Sequence, residues 1–307
     1  MYSATMPAKI DARDMLRRPS ILGGGSAVRL STAEDQAEAL AFLSSRPVHT
    51  VILRGFIRDN GLESPLNRGY FYGYRNAEGS LEGVALIGHA TLIESSTDRA
   101  LEALAHRAQE VCSDTHMIMG EQERIEEFWS YYAEDGQRKR LACRELLFEL
   151  RWPVEAHQEV TGLRLATLDD LELTLPVHAA LAEEESGVNP LEKDPEGFRR
   201  RCARRIEQGR TFVLVEDGKL IFKTDVVSDT PEVVYLEGVY VNASERAKGY
   251  GLRCLSQLSR TLLQRTEVLC LLVNEENAAA HALYRKAGFK FTSTYDTIFL
   301  HQNYEAV

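Results

Sequence analysis

The sequence predicts an α/β fold, with α+β mixed sheets, arranged as two tandem lobes. The chain has 307 residues, about twice a usual domain length of roughly 150 residues. Apolar runs with strand character alternate with amphipathic helical stretches along the whole chain. The element order of the first half returns in the second half, although the residues barely correspond. These observations indicate a duplicated architecture.

The first half begins after a segment without sustained apolar periodicity. We expect residues 1–25 to form a mobile tail. A Ser-Thr start followed by early acidic residues predicts a helix over Ser31–Leu43. The other predicted elements of this half are a strand or helix start at Val51–Arg54, strands within Gly69–Tyr74 and Leu81–Ile93, a helix at Asp98–Val111, a strand at Met117–Met119, a helix at Glu121–Tyr132 and a strand at Leu141–Leu150.

Trp152-Pro153 and the polar stretch up to Glu159 predict a linker. We therefore expect lobes at 26–155 and 160–307. The predicted elements of the second lobe are strands at Leu163–Leu165, Thr211–Glu216, Leu220–Val227, Val233–Val241, Val268–Val273 and near Thr294–Leu300, and helices at Leu168–Ala182, Phe198–Gln208, Gly251–Gln264 and Ala278–Ala287.

Composition narrows the classes of function. A formal net charge of −10 disfavours nucleic acid and favours cationic or small-molecule partners. Five scattered cysteines without a Cys-x-x-Cys pair indicate a reducing compartment, so we expect a cytoplasmic protein and no metal cofactor. No apolar run reaches the roughly 18 residues that cross a bilayer, and we expect no membrane association. Nothing in the sequence fixes the oligomeric state.

The segment Val239–Leu252 joins an apolar strand to a helix through a glycine-containing turn. Gly249 and Gly251 let the backbone approach a ligand closely and direct N–H groups at an anion beside the helix N-terminus. Arg246 and Lys248 add positive charge. The pattern is neither a Walker loop nor the dinucleotide-binding G-x-G-x-x-G sequence. Alone, it fits a phosphate cradle and an ordinary structural turn equally well.

A second segment makes the pattern specific. Arg246-x-x-Gly249-x-Gly251 is followed about 30 residues later by Asn277, Ala280, Tyr284 and Gly288-Phe289. Together they resemble motifs A and B of the GNAT acyl-CoA N-acyltransferase superfamily, and the resemblance spans residues 163–300. It implies direct transfer of an acetyl group from acetyl-CoA to a primary amine. The residues implied to bind acetyl-CoA are Val239, Tyr240, Val241, Arg246, Ala247, Lys248, Gly249, Tyr250, Gly251, Asn277 and Ala280.

The resemblance also implies two catalytic residues. Tyr284 is implied to protonate the departing thiolate, for which a phenol of pKa near 10 is suited; packing of its ring in the core is the structural alternative. The run Leu236–Val241 also looks like a strand of aminoglycoside N-acetyltransferases, which implies that Glu237 binds the cationic acceptor and takes its proton. A carboxylate on a sheet edge is the alternative. Alternation predicts Glu237, Val239 and Val241 on one face, and Gly238 predicts a bulge or a splayed strand.

The acceptor site is predicted from a run of acids. Glu183-Glu184-Glu185 ends a predicted helix at a position that borders the acceptor pocket in GNAT proteins. We therefore expect Glu183 and Glu184, together with Glu237, to bind the acceptor; a solvated acidic turn is the alternative. No cysteine of the motif stands at a nucleophile position, so we expect the amine to attack the thioester directly.

The first half lacks the signals of a phosphate site. Its loop at the corresponding position, Glu94–Arg99, has no glycine and two acids and would repel pyrophosphate. We expect residues 26–155 to form a degenerate GNAT-like lobe that helps to shape the acceptor cleft. The sequence thus favours an acetyl-CoA-dependent N-acetyltransferase acting on an amine of a small molecule or peptide. The alternative is a non-catalytic acyl-CoA-binding sensor or partner-binding protein.

Overall fold

The computed structural model describes residues 25–112, 115–133, 136–152 and 154–301. The predicted tail lies outside these residues except for Gly25. The helices are α1 Ala33–Leu43, α2 Val51–Asn60, α3 Asp98–Val111, α4 Gln122–Tyr132, α5 Leu171–Ser186, α6 Pro190–Lys193, α7 Pro195–Glu207, α8 Tyr250–Leu262 and α9 Ala278–Lys286. The strands are β1 Ala27–Arg29, β2 Gly69–Arg75, β3 Leu81–Gly88, β4 Ala90–Ser95, β5 Met117–Glu121, β6 Lys139–Leu150, β7 Arg164–Leu165, β8 Thr211–Glu216, β9 Lys219–Asp229, β10 Val233–Val241, β11 Val268–Asn274 and β12 Lys290–Leu300.

These elements confirm the predicted α/β class and most predicted positions. Local signals explain several helix starts: Thr32 caps α1 in a reciprocal capping box with Asp35, and Thr97 caps α3. The ambiguous run at Val51–Arg54 is helical, as the first turn of α2. In the described residues no helix combines the length and apolar character needed to cross a membrane.

All the strands belong to one sheet, in the order β1-β2-β3-β4-β5-β12-β6-β11-β10-β9-β8-β7. The two halves exchange strands at its centre. β12, from the end of the chain, pairs with β5 of the first half, and β6 of the first half pairs with β11 of the second. β6 and β12 also pair with each other along most of their length. The lobes that the sequence separates at residues 155–160 are therefore joined through the sheet.

The exchanged strands also build the cores. Ile298 and Leu300 of β12 pack in the core of the first half, under α3 and α4. Phe148 and Leu150 of β6 pack in the core of the second half, under α8 and α9. Burial of side chains of this size contributes about 1.5–3 kcal/mol each. Each half therefore depends on the other for part of its apolar core.

The opposite face of the sheet carries α1 and α2 in the first half and α5 and α7 in the second. Helix α2 reaches across to β9 and β10 of the second half. There the Ser228 hydroxyl donates to the Val51 carbonyl at 2.5 Å, and Arg210 forms an ion pair with Asp59 at 2.6 Å. This face, between α2 and α5, holds the acidic side chains of the candidate site.

Candidate functional site

The turn between β10 and α8 leaves a helix N-terminus open. Gly249 is the N-cap of α8, with φ 83°, and no side chain caps the helix. Ala247 also has a positive φ, 62°. Within the described chain, the backbone N–H groups of residues 247–252 donate to no acceptor. Because a helix N-terminus carries partial positive charge, these amides form an anion cradle.

Two basic side chains border the cradle in different ways. The Arg246 side chain is held by a hydrogen bond from Nε to the Val241 carbonyl at 3.2 Å. Lys248 forms an ion pair with Glu245 at 2.8 Å, and this hydrogen bond and charge raise the pKa of the ammonium group. Arg246 is therefore the more available cation. A Cβ on Gly251 would lie 3.1 Å from Val241 Cγ2, so glycine lets α8 start close against β10.

Next to the cradle, β10 and β11 separate. They pair in parallel only from Val233 to Tyr235 on β10 and from Val268 to Cys270 on β11. Beyond these pairs β10 stays with β9, whereas β11 stays with β6. The strands thus leave a wedge in the sheet that begins beside Leu236 and ends at the cradle.

The predicted bulge lies in the wedge wall. The register between β10 and β9 shifts between Glu237 and Tyr240, and Gly238 has φ 61°. The expectation that Glu237 shares a face with Val239 and Val241 is wrong. The extra residue of the bulge reverses the alternation, so Glu237 lies opposite Asp225 on the face of α5 and α7, whereas Val239 and Val241 pack toward α8.

Tyr284 lies on α9 on the other side of the sheet. Its ring packs between Phe148 and Phe289, with centroid distances of 6.1 and 6.0 Å. Burial raises the pKa of its hydroxyl well above 10. The raised pKa keeps this hydroxyl protonated, and in the described part of the chain it has no hydrogen-bond partner. A packed ring and a proton-donating hydroxyl are therefore compatible.

The start of α9 is built by polar side chains. Asn277 is its N-cap, and its Oδ1 accepts the amide of Ala280 at 3.0 Å. His281 is buried, and its Nε2 lies 3.0 Å from the Asn274 carbonyl oxygen. Capping occupies the Asn277 oxygen, and within the described residues its NH2 group donates to no acceptor. The role of Asn277 and Ala280 in acetyl-CoA binding stays a prediction.

Three carboxylates from three elements lie within electrostatic range of each other: Glu145 of β6, Glu185 of α5 and Glu237 of β10. Partial burial, with the charges of Glu237 and Glu145, raises the pKa of Glu185 to about 8. Burial is also the main cause of a raised pKa at Glu145, although that carboxylate accepts a hydrogen bond from Thr297 at 2.6 Å. In the described residues no group of His, Cys, Asp and Glu side chains is arranged as a metal site.

This acid cluster, Glu145, Glu185 and Glu237, differs from the predicted acceptor set. All three glutamates of the acidic run are exposed at the end of α5, and Glu185 is the one whose charge acts on Glu237 and Glu145. Their part in acceptor binding stays a prediction. Sequence reasoning missed Glu145 entirely. No local signal could reveal it, because it reaches the second half only through the strand exchange.

A buried ionic network lies beneath the bulge. Asp225 forms an ion pair with Lys223 at 2.5 Å and also contacts Arg205 at 3.4 Å and His178 at 3.5 Å. Burial alone would raise the pKa of Asp225, but Lys223 and Arg205 lower it to about 2. Burial and Lys223 lower the pKa of His178 to about 3, so its ring is neutral. Lys223 also donates to the Gly238 carbonyl at 3.4 Å and thereby fixes the bulge.

The corresponding places in the first half are partly occupied by its own side chains. Thr97 caps α3 by accepting the amide of Ala100 at 3.3 Å. Between β4 and β5, Arg46 bridges Glu94, at 3.0 Å, and Glu121. The first half therefore lacks the open helix terminus of the second, but a pocket lined by Leu92–Ser95 of β4 and Met119–Glu121 of β5 lies where these strands separate.

Known proteins resemble the chain in two ways. Residues 177–289 match the sequence model of the acetyltransferase (GNAT) family. A Drosophila protein structure is similar over 91% of this chain and 100% of its own, with a TM-score of 0.67 and 16% identity. A GNAT-family acetyltransferase from Colwellia psychrerythraea covers 90% and 100% of the two chains, with a TM-score of 0.58 and 13% identity.

A tandem GNAT protein from the clavulanic acid biosynthesis pathway has a TM-score of 0.57 and 15% identity, over 89% of this chain and 97% of its own. No curated protein sequence matches the chain. At these sequence identities the solved structures show only a shared fold. The match to the GNAT family model lies in the second half of the chain.

Proposed function

Because residues 177–289 match the sequence model of the acetyltransferase (GNAT) family, we propose that this protein transfers an acetyl group from acetyl-CoA directly to a primary amine of a cationic small molecule or peptide. The observation that carries the proposal is the uncapped N-terminus of α8, with its free amides at residues 247–252, beside the wedge between β10 and β11. GNAT proteins in general use acetyl-CoA, and this arrangement matches what its pyrophosphate and extended arm require.

The cradle supplies binding energy through charge. Hydrogen bonds from amides to a charged acceptor contribute about 1.5–3 kcal/mol each. The dipole of α8 favours the same anion, and Arg246 stands beside the cradle without an ion-pair partner among the described residues. Pyrophosphate bound there would direct the thioester along the wedge toward Tyr284.

Tyr284 is proposed to act as the general acid. Its raised pKa keeps the hydroxyl protonated until the thiolate departs. Phe148 and Phe289 restrict the ring to one position, which fixes the direction in which the proton is delivered. Cys143, beside the acid cluster, has its pKa raised by burial and by Glu145 and is a poor nucleophile. Direct attack by the amine is therefore favoured over an acyl-enzyme.

The acid cluster is proposed to bind the acceptor. An amine arrives as an ammonium ion and must lose a proton before it attacks. Glu237, which is exposed on the wedge wall, is the proposed base. Glu145 and Glu185 supply further negative charge, and a bound cation relieves their mutual repulsion. Glu183 and Glu184 extend this charge toward solvent. The cluster favours acceptors with more than one positive charge.

The test compares Tyr284→Phe with Tyr74→Phe, which removes a hydroxyl from another buried tyrosine in the first half. CoA release is measured across a panel of mono-, di- and polyamines, and acetyl-CoA affinity is measured by calorimetry. We expect Tyr284→Phe to lower turnover by about 10²–10⁴-fold at unchanged affinity, and Tyr74→Phe to change neither. Full turnover in Tyr284→Phe would refute the acid role. Binding without transfer to any amine would instead support an acyl-CoA-binding sensor.

A further inference from the structure

Two stacked histidines mark a second polar site where the two halves meet. His89, between β3 and β4, and His116, just before β5, have ring centroids 4.9 Å apart and ring planes inclined by 12°. His116 also packs edge-on against Phe299, with a centroid distance of 5.5 Å. The Arg140 guanidinium lies 5.6 Å from the same phenyl ring and donates to the Ser186 carbonyl at 2.7 Å. Strands of the first half and helix α5 of the second thus converge here.

Positive charges surround both rings. Burial, followed by the charges of Arg68 and Arg201, lowers the pKa of His89 to about 3. Burial, followed by Lys193, Arg140 and Arg68, lowers the pKa of His116 to about 4. Both imidazoles are therefore neutral at pH 7, and each carries one N–H donor.

The carboxylate that contacts this group is Asp194, which pairs with Arg201 at 3.1 Å and also acts on the charge of Arg68. Arg68, Arg140 and Arg201 thus bring three positive charges near the rings, and Asp194 offsets part of this charge. Arg68 and Arg201 are exposed, so an anion from solvent can reach both guanidinium groups.

Within this cluster of histidines and basic residues, Arg68 shows the clearest features of a ligand-binding residue. Its backbone is left-handed, with φ 54°, a conformation that residues other than glycine rarely adopt. Its carbonyl accepts the His89 amide at 2.9 Å, which ties it to the histidine pair. In the part of the chain that the structure describes, its guanidinium donates to no acceptor. Burial and the nearby charge of Arg201 lower the pKa of that guanidinium.

We propose that this inter-lobe cluster binds a small oxyanion, namely a phosphate or carboxylate group of a ligand. The planar guanidinium groups of Arg68 and Arg201 match two oxygens of such an anion, and the imidazole N–H groups of His89 and His116 supply further donors. Arg140 and Lys193 add charge around it. The site lies outside the cradle of α8, and the proposal does not depend on acetyl transfer.

The experiment titrates the full chain with inorganic phosphate, and separately with acetate, at constant ionic strength set with sodium chloride. The imidazole resonances of His89 and His116 are followed by NMR. We expect saturable shifts and a rise of both pKa values toward 6.5, because a bound anion stabilises the imidazolium form. The anion that saturates at lower concentration identifies the ligand class.

Matched variants decide where the anion binds. Arg68→Gln is expected to weaken anion binding by about 10-fold or more. Arg199→Gln, on the exposed face of α7 where Arg199 pairs with Glu172, is expected to leave it unchanged. Arg201→Gln repeats the test if Arg68→Gln does not fold, as judged by thermal unfolding. The proposal is overturned if neither anion gives a saturable response, if sodium chloride alone reproduces the shifts, or if Arg199→Gln weakens binding as much as the folded cluster variant.

Discussion

Replacement of Gly249 by alanine tests the cradle at the point where backbone shape matters most. Gly249 has φ 83°, and the nearest atom to an added Cβ would be Arg253 Nε at 3.8 Å. The methyl group therefore meets no steric obstacle within the protein. What alanine changes is the conformational preference of the turn and the space directly above the free amides of residues 247–252.

The expected magnitudes separate stability from binding. The left-handed backbone costs a residue with a Cβ about 1–2 kcal/mol, so thermal unfolding shifts by only a few degrees. Binding depends on several amides that point at one anion. If the altered turn misaligns two charge-assisted hydrogen bonds of about 1.5 kcal/mol each, acetyl-CoA affinity falls by about 100-fold.

Gly79→Ala is the matched control. Gly79 lies in the turn between β2 and β3 of the first half, has φ 84°, and has no atom within 4 Å of an added Cβ. It therefore carries the same backbone strain as Gly249 without a helix N-terminus to bind phosphate. We expect both variants to lose similar stability in thermal unfolding, and only Gly249→Ala to lose acetyl-CoA affinity in calorimetry.

Two results would contradict this reasoning. Wild-type affinity in a folded Gly249→Ala protein would mean that acetyl-CoA does not bind through this turn. Equal loss of affinity in Gly79→Ala would mean that general destabilisation, rather than cradle geometry, controls binding. Either result would remove the main support for the proposed function.

Three further perturbations test other parts of the molecule. Because the pKa of Glu185 is raised, the stability that this group contributes is complete below about pH 4 and is lost as the pH rises through about 8. We therefore expect Glu185→Gln to have the same melting temperature as wild type at about pH 4. At about pH 9 we expect the variant to melt at a higher temperature than wild type, by the equivalent of about 1 kcal/mol or less. Asp225→Asn leaves Lys223 and Arg205 buried without a counter-ion and should cost about 3–5 kcal/mol in urea unfolding, and a loss under about 1 kcal/mol would contradict the network. A fragment of residues 160–307 lacks β6, so it should show no cooperative unfolding by circular dichroism, and a cooperatively folded fragment would show that the exchange is dispensable.

The sequence predicted those parts of the fold that local chemistry determines. The helix at Asp98–Val111 has the predicted bounds, because Thr97 caps it and its apolar residues repeat at helical spacing. The cradle turn is also local, since glycine at residue 249 and the strand before it lie within one short segment. The bulge at Gly238 follows from the same kind of evidence.

The face of Glu237 shows how two correct local rules conflict. Alternation along a strand places every second side chain on one face, and a bulge adds a residue that breaks this alternation. We predicted the bulge at Gly238 but continued the alternation through it. A bulge at that residue requires Glu237 and Val239 to face opposite sides, as the structure shows.

Strand exchange is the feature that no local pattern could reveal. Apolar alternation identifies β6 and β12 as strands but does not say which strands lie beside them, because pairing depends on residues far apart in the chain. The place of Glu145 follows from this pairing and could not be predicted without it.

The exchange explains what a lobe without a cradle contributes to the proposed reaction. On β6, Glu145 and Phe148 lie on opposite faces of the sheet. Glu145 belongs to the acid cluster beside α5, whereas Phe148 packs against Tyr284 of α9. One strand of the first half thus supports both the proposed amine-binding side and the side of the proposed proton donor. The wedge between β10 and β11 connects these two sides. A displacement of β6 would therefore separate the proposed acceptor site from the proposed proton donor, so we expect the proposed reaction to require both halves.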